Sequence, residues 1–359
     1  MTQITKHGII LEKTDNHFEN FGVLNPAIYQ EGKTVHMFYR AIRDDYFSSI
    51  GHCVLDGPLK VIKRAKEPVF FPKESYEFKG VEDPRITKIE DTFYLSYAAC
   101  DGINVFGAFA TSKDLINWER QGIITPKLSF DEFAKLILPI CSKISIGHRI
   151  FYMYFVRYRL KNLLKKEAYV WDKNVVFFPR KINGKYAFLH RLFPSIQIAY
   201  FNDSSELTKE FWKDYVSKLH KHIVMVPHYQ HEDSRIGAGC PPIETEYGWL
   251  LIYYSAQNTS CGLVYHVCAA LFDLEDPSKL IARLKKPLFS PTEPYELKGY
   301  MANMIYPTGS AIFDGELYMY YGTANNSIAV ASVNMKDLLD KLLSIKTEIP
   351  TATKINIKI

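Results

Sequence analysis

Apolar and polar residues alternate over short runs five times along the chain, and each time in the same order. A polar residue and a proline come first, followed by a few alternating positions, a turn with charge or glycine, and an aromatic run. The segments read NPAIYQEGKTVHMFYRA, DPRITKIEDTFYLSYAA, FPRKINGKYAFLHR, PPIETEYGWLLIYYSA and YPTGSAIFDGELYMYYGTA, with prolines at Pro26, Pro84, Pro179, Pro242 and Pro307. Period-two alternation predicts half-buried strands, and QEGK, IEDT, INGK, TEYG and FDGE fall where a hairpin must reverse the chain.

Most of these hairpins precede a second strand pair, as in SSIGHCVLDGPLKVI, FGAFATSKDLINWERQGII and GLVYHVCAALFDL with IARLKKPLF. Two hairpins per unit make a four-stranded sheet that returns after about 40 to 65 residues, close to the period of propeller blades. The pattern predicts an all-β chain, a five-bladed β-propeller with a few short helical additions, forming one domain over residues 1–359. A sixth, weaker match, LPICSKISIGHRIFYMYF, reads as an inserted hairpin. Helical spacing appears in LSFDEFAKLIL, in SELTKEFWKDYVSKLHKHI with Ser205 or Thr208 as cap, and in NMKDLLDKLLSI.

Composition agrees with a globular β chain: 47% hydrophobic, 23% charged, and 24 Tyr with 23 Phe, rings that suit pleated surfaces. No 18-residue apolar run occurs and the first residues lack a signal-peptide build, so a soluble cytoplasmic protein is expected. The six cysteines have no zinc spacing and are expected to be free thiols. A net charge of +5 is modest, but residues 157–185 hold nine Lys or Arg against two acids. Such a run is either a solvated face or a field that draws an anion; no nucleic-acid motif accompanies it.

The inner strands of a propeller converge on one axial pocket, so polar residues distant in sequence become neighbours. Asn25 with Arg40, then Glu82, Asp83 and Arg85, then Lys173 and Arg191, then Glu244 and Tyr254, then Asn325 are candidates for one ring. Each has a structural alternative. Asp83 before Pro84 can simply open an extended segment, Arg85 can pair with it, Lys173 can be solvated and Tyr254 can be core. Arg191 ends an apolar strand, where an unpaired charge is costly.

One central carboxylic acid, several cations and many aromatic rings suit a carbohydrate. Breaking a glycosidic bond takes an acid on the leaving oxygen and a nucleophile on the opposite face. An inverting hydrolase supplies a second carboxylate to activate water, whereas phosphate is already a nucleophile and has only to be held by cations and hydroxyls.

At NPA with FYRA, GVEDPRI, DKNVVFFPRKINGKYAFLHR, GAGCPPIETEYGWLLIY and YPTGSAIFDGELYMYYGTA, the chain resembles the inverting β-mannoside phosphorylases of glycoside hydrolase family 130. The resemblance implies a five-bladed β-propeller and a general acid at Asp83 acting through the 3-hydroxyl of the bound mannose. It implies phosphate at Lys173 and Arg191, and the mannosyl unit at Asn25 and Arg40, with Arg85 supporting the acid or binding sugar. Two positions depart from the family pattern. Tyr254 stands where many members have a phosphate-binding histidine, and Asn325 where they have an aspartate.

Some members of that family are hydrolases of β-1,2-mannosides. For that activity Glu244, Glu246 and Glu296 are the candidate bases. A sugar-binding propeller without catalysis is a third reading. Phosphorolysis without a metal or nucleotide cofactor, with a mannose-containing oligosaccharide and inorganic phosphate as partners, is the function expected; no nucleic acid or membrane partner is expected, and helical additions could pack between copies in a homo-oligomer.

Overall fold

The computed structural model describes residues 3–144 and 168–345. The chain is mostly β, with 50% strand against 16% helix. Strand β1 (Ile4–Leu11) is followed by β2 (Gly22–Glu31), β3 (Thr34–Ile42), β4 (Ser48–Asp56) and β5 (Lys60–Arg64), which pair in order as an antiparallel meander. A second meander runs β6 (Gly80–Ile89), β7 (Thr92–Cys100), β8 (Val105–Ser112) and β9 (Glu119–Ile123). A single parallel bridge between Ser48 and Gly80 joins these two into one sheet.

The third meander is β10 (Asp172–Phe177), β11 (Tyr186–Leu192), β12 (Ile196–Phe201) and β13 (Ile223–Met225). In the fourth, β14 (Arg235–Ala238) and β15 (Ile243–Thr245) both pair with β16 (Gly248–Thr259), which continues to β17 (Gly262–Phe272) and β18 (Leu280–Arg283). The fifth is β19 (Ile305–Phe313), β20 (Glu316–Thr323) and β21 (Ile328–Asn334), completed by β1. An outer strand from the opposite end of the chain thus covers the edge that β21 would otherwise expose.

All five predicted turns reverse hairpins, between β2 and β3, β6 and β7, β10 and β11, β15 and β16, and β19 and β20. The helical segments form α1 (Phe130–Ile137), α2 (Lys209–Ser217), the single turn α3 (Pro294–Leu297) and α4 (Met335–Leu343). Thr208, not Ser205, caps α2: its hydroxyl accepts from the Phe211 amide at 3.2 Å. The expected inserted hairpin at LPICSK is instead a 3₁₀ helix over Leu138–Lys143; its remainder, like residues 157–167 of the basic run, lies outside the described residues. Among the described residues all six cysteines are free.

A buried glutamate recurs in four meanders. Glu19, Glu77, Glu232 and Glu296 each accept a hydrogen bond from a tyrosine of the second strand: Tyr39 at 2.8 Å, Tyr97 at 2.6 Å, Tyr253 at 2.8 Å and Tyr321 at 2.8 Å. Each also pairs with a cation of the outermost strand: Arg64 at 2.8 Å, Arg120 at 3.1 Å, Arg283 at 2.5 Å and Lys6 at 2.5 Å. The third meander uses Asp172, His190 and Tyr215, joined by two 2.7 Å contacts. A buried carboxylate is tolerable because both partners satisfy it, and the arrangement ties inner loop, second strand and edge together.

Candidate active site

Five cross-strand pairs occupy corresponding places: Leu24 opposite Arg40, Glu82 opposite Ala98, Lys173 opposite Arg191, Gly237 opposite Tyr254 and Tyr306 opposite Gly322. In each, the second residue follows the tyrosine or histidine of the buried triad. Small residues make room for large neighbours here. A Cβ on Gly237 would lie 2.5 Å from the Tyr254 hydroxyl, and one on Gly322 would lie 2.2 Å from Asn25 Oδ1.

Immediately after Leu24, Glu82 and Lys173 the inner strand bulges, and Asn25, Asp83 and Asn174 adopt left-handed backbone at φ of 51°, 50° and 64°. Asn and Asp tolerate that region better than other non-glycine residues, and a bulge re-aims the side chain it carries. Asn25 Nδ2 donates to Asp83 Oδ1 at 2.6 Å. Arg40 reaches both carboxylates of the neighbouring meander, Glu82 at 2.8 Å and Asp83 at 3.8 Å, and also donates to Ser48 at 3.0 Å. Arg85 is buried and donates to the carbonyls of Asp83 at 2.8 Å and Gly239 at 2.7 Å, fixing the bulge from behind.

Burial works against the charge on Asp83, but Arg40, Lys173 and Arg85, with the Asn25 hydrogen bond, outweigh it and hold the carboxyl below the usual range. On the other side of Lys173, the buried Arg191 guanidinium donates to the Tyr254 hydroxyl. Burial also keeps the Tyr254 phenol well above its ordinary value despite Arg191, so the phenol is neutral and retains a proton to donate. Asn174 Nδ2 donates to the Tyr306 hydroxyl, and its Oδ1 lies 3.5 Å from the Tyr254 hydroxyl. Three buried polar atoms in this region, Asn25 Oδ1, Arg85 Nη2 and Arg191 Nε, have no partner among the described residues.

The family profile described as beta-1,4-mannooligosaccharide phosphorylase, glycoside hydrolase family 130, matches residues 2–343. The chain belongs to this family. It is 32% identical over 350 residues to a 1,2-beta-oligomannan phosphorylase of Thermoanaerobacter sp. (strain X514), covering 94% of this chain and 98% of the relative. It is 30% identical to a beta-1,2-mannobiose phosphorylase of the same strain, covering 93% and 97%. The solved beta-1,2-mannobiose phosphorylase of Listeria innocua superposes with a TM-score of 0.70 at 22% identity over 95% of this chain and 99% of that one, a likeness of fold.

In this family-130 chain, Asn25, Arg40, Asp83 and Arg85 stand together, joined by direct contacts. Lys173 lies close enough to act on Asp83 and is paired in register with Arg191, which holds Tyr254. The three glutamates considered as bases stand elsewhere. Glu244 and Glu246 are exposed at the far end of the fourth hairpin, Glu244 with Arg180 at 2.9 Å, and Glu296 is the buried partner of Lys6 and Tyr321. Asn325 is exposed, and its Oδ1 accepts from its own turn, Thr323 at 2.7 Å and Ser327 at 2.6 Å.

Asn174, Tyr306 and the small residues Gly237 and Gly322 were not legible as site residues. The proline alignment concealed Asn174: in the third meander its bulge lacks a proline, and Pro179 lies beyond β10. A signal did exist, since DKN repeats the placement of VLN and VED one residue after the paired position. A groove beside Phe71, Trp118 and Arg120 shares no lining residue with this cluster.

Proposed function

We propose that this protein is an inverting β-mannoside phosphorylase that releases α-mannose 1-phosphate from a terminal β-mannoside, with Asp83 as general acid. The five meanders are read as blades of a single catalytic propeller domain, with the paired positions around its axis. The observation that carries the reading is the grouping of one partly buried carboxylate, Asp83, with Arg40 and Lys173, while Arg191, paired in register with Lys173, holds the neutral Tyr254 phenol. Glu82 and Asp83 share the Arg40 guanidinium.

Asn25 and Arg40 seat the mannosyl unit. Lys173, Arg191 and Tyr254 place phosphate beneath the anomeric carbon. A phosphate oxygen bonds to that carbon as the glycosidic bond breaks, and the Asp83 proton passes through the sugar 3-hydroxyl to the leaving oxygen. Cations near Asp83 oppose its protonation in the free protein. A bound phosphate dianion offsets Lys173, raising the affinity of Asp83 for its proton when the nucleophile is in place. The names of the relatives that cover most of the chain favour a β-1,2-linked substrate over a β-1,4-linked one.

The test is product analysis with β-1,2- and β-1,4-mannobiose, each with and without inorganic phosphate. Mannose 1-phosphate formed only with phosphate is expected. Free mannose at a phosphate-independent rate would make the protein a hydrolase, and absence of turnover with retained sugar binding would make it a lectin-like propeller.

A further inference from the structure

Three aromatic rings form an exposed cluster at the rim beside Arg40. Phe21 meets Tyr46 edge-on at 5.0 Å and Tyr300 edge-on at 5.3 Å, and Tyr46 stacks on Tyr300 at 5.8 Å with 28° between planes. Tyr46 and Tyr300 are 52% and 55% exposed, and Met301 beside them is 41% exposed. Phe21 precedes β2, Tyr46 lies in the turn between β3 and β4, and Tyr300 lies in the loop before β19, so the cluster spans two meanders.

The rings are held in place. Tyr46 is left-handed at φ 64°, a conformation that a bulky residue adopts at a cost of about 1 kcal/mol or more. Its turn is closed by hydrogen bonds from Tyr46 N to Arg43 O at 2.9 Å and from Arg43 N to Phe47 O at 3.0 Å. Tyr300 follows Gly299, where a Cβ would lie 2.0 Å from the Ala324 carbonyl oxygen. That close approach lays the Tyr300 loop against the turn carrying Asn325, whose amide donates to Tyr295 O at 3.2 Å. Strain and exposure in an apolar patch both mark a surface with a task.

The patch is continuous with the site. Phe21 packs on the apolar cluster that includes Tyr254 and Tyr306, and the Tyr300 phenol lies close enough to act on the Arg40 guanidinium. A stable protein partner buries about 800 Å² on each side. Three half-covered rings offer about 300 Å², an area that fits one or two pyranose rings with their C–H faces on the aromatics.

We propose that Phe21, Tyr46 and Tyr300 form a platform for the sugar units that follow the terminal mannosyl residue, making the protein selective for oligosaccharides longer than a disaccharide. This rests on the mannoside phosphorylase reading: with the terminal unit held inward by Asn25 and Arg40, the rest of the chain leaves past this rim.

The test is calorimetric binding of β-1,2-mannobiose, β-1,2-mannotriose, cellotriose and maltotriose to the full chain in phosphate-free buffer. The protein is compared with a Tyr46→Ala/Tyr300→Ala variant and a Tyr46→Phe/Tyr300→Phe variant of matched melting temperature. Mannotriose binding tighter than mannobiose, weakened at least tenfold by the alanines and restored by the phenylalanines, is expected. Mannotriose affinity within twofold of the parent in the alanine variant would overturn the platform alone. Cellotriose or maltotriose preferred over mannotriose, and weakened by the alanines, would support the platform and overturn the mannoside reading. Self-association in sedimentation that the alanines abolish, with saccharide binding unaffected, would overturn the platform in favour of a second copy of the chain.

Discussion

Asn25 donates to the Asp83 carboxylate at 2.6 Å across two adjacent meanders, although 58 residues separate them in sequence. Both residues sit at the same place in their units, left-handed in a bulge that follows a paired inner-strand position. The proposed acid is therefore oriented by its own structural counterpart.

Replacing the acid tests this arrangement directly. Asp83→Asn keeps the shape and can still meet Asn25 but has no proton to give, so mannose 1-phosphate formation should fall by about 10²–10⁴. Circular dichroism should show a folded protein. In the native chain the depressed carboxyl stabilises the fold above its unfolded value of about 3.9, and that contribution is lost as pH falls through the folded value. The stability difference between Asp83→Asn and the parent should accordingly be larger at pH 7 than at pH 3.

The phosphate site should respond separately. Tyr254→Phe leaves Arg191 without its hydroxyl acceptor and removes one donor, so the KM for phosphate should rise about tenfold, corresponding to about 1.4 kcal/mol. Arg191→Ala should raise it further. A KM for phosphate unaffected by either change would remove both residues from phosphate binding.

Activity should fall as pH rises through the value for Asp83, because a general acid works only while protonated. Phosphate bound near Lys173 favours the protonated carboxyl, so the alkaline limb should move to higher pH as phosphate is raised from well below its KM to saturation. A limb fixed at all phosphate concentrations would separate Asp83 from the Lys173 site.

Gly322→Ala places a methyl group 2.2 Å from Asn25 Oδ1, on the side-chain amide, and 3.0 Å from the Asn25 backbone nitrogen. The amide must turn away from Asp83, so the KM for mannoside should rise at least tenfold while the KM for phosphate changes by less than about twofold. Steady-state kinetics in both substrates decides it.

Breaking a buried triad should act on stability. Glu232→Gln leaves the buried Arg283 without its counter-charge, at a cost of about 3–5 kcal/mol. Glu296→Gln should lower the melting temperature in the same way without altering the phosphorolysis-to-hydrolysis ratio. A selective loss of free-mannose release in that variant would return Glu296 to the role of base.

The five hairpins were readable because alternation and turn chemistry are local, and GVEDPRI with NPA carried enough local pattern to single out Asp83 and Asn25. Arg191 was readable because a cation at the end of an apolar strand is conspicuous. Nothing near Glu296 in sequence reveals that Lys6 and Tyr321 close around its carboxylate. Glu244 was drawn into the ring by its proline alignment, whereas its hairpin places it at the exposed far end with Arg180.

By itself the sequence determined the strand content and the five reversals, since these depend on period and turn residues within a few positions. Only the tertiary structure decided that β1 completes the last meander, that Asn174 and Tyr306 reach the Arg191 and Tyr254 pair, and that a glycine at position 322 admits Asn25. Those outcomes depend on which sheet edges pack together, and side chains hundreds of residues apart become partners only when the whole set of meanders is assembled.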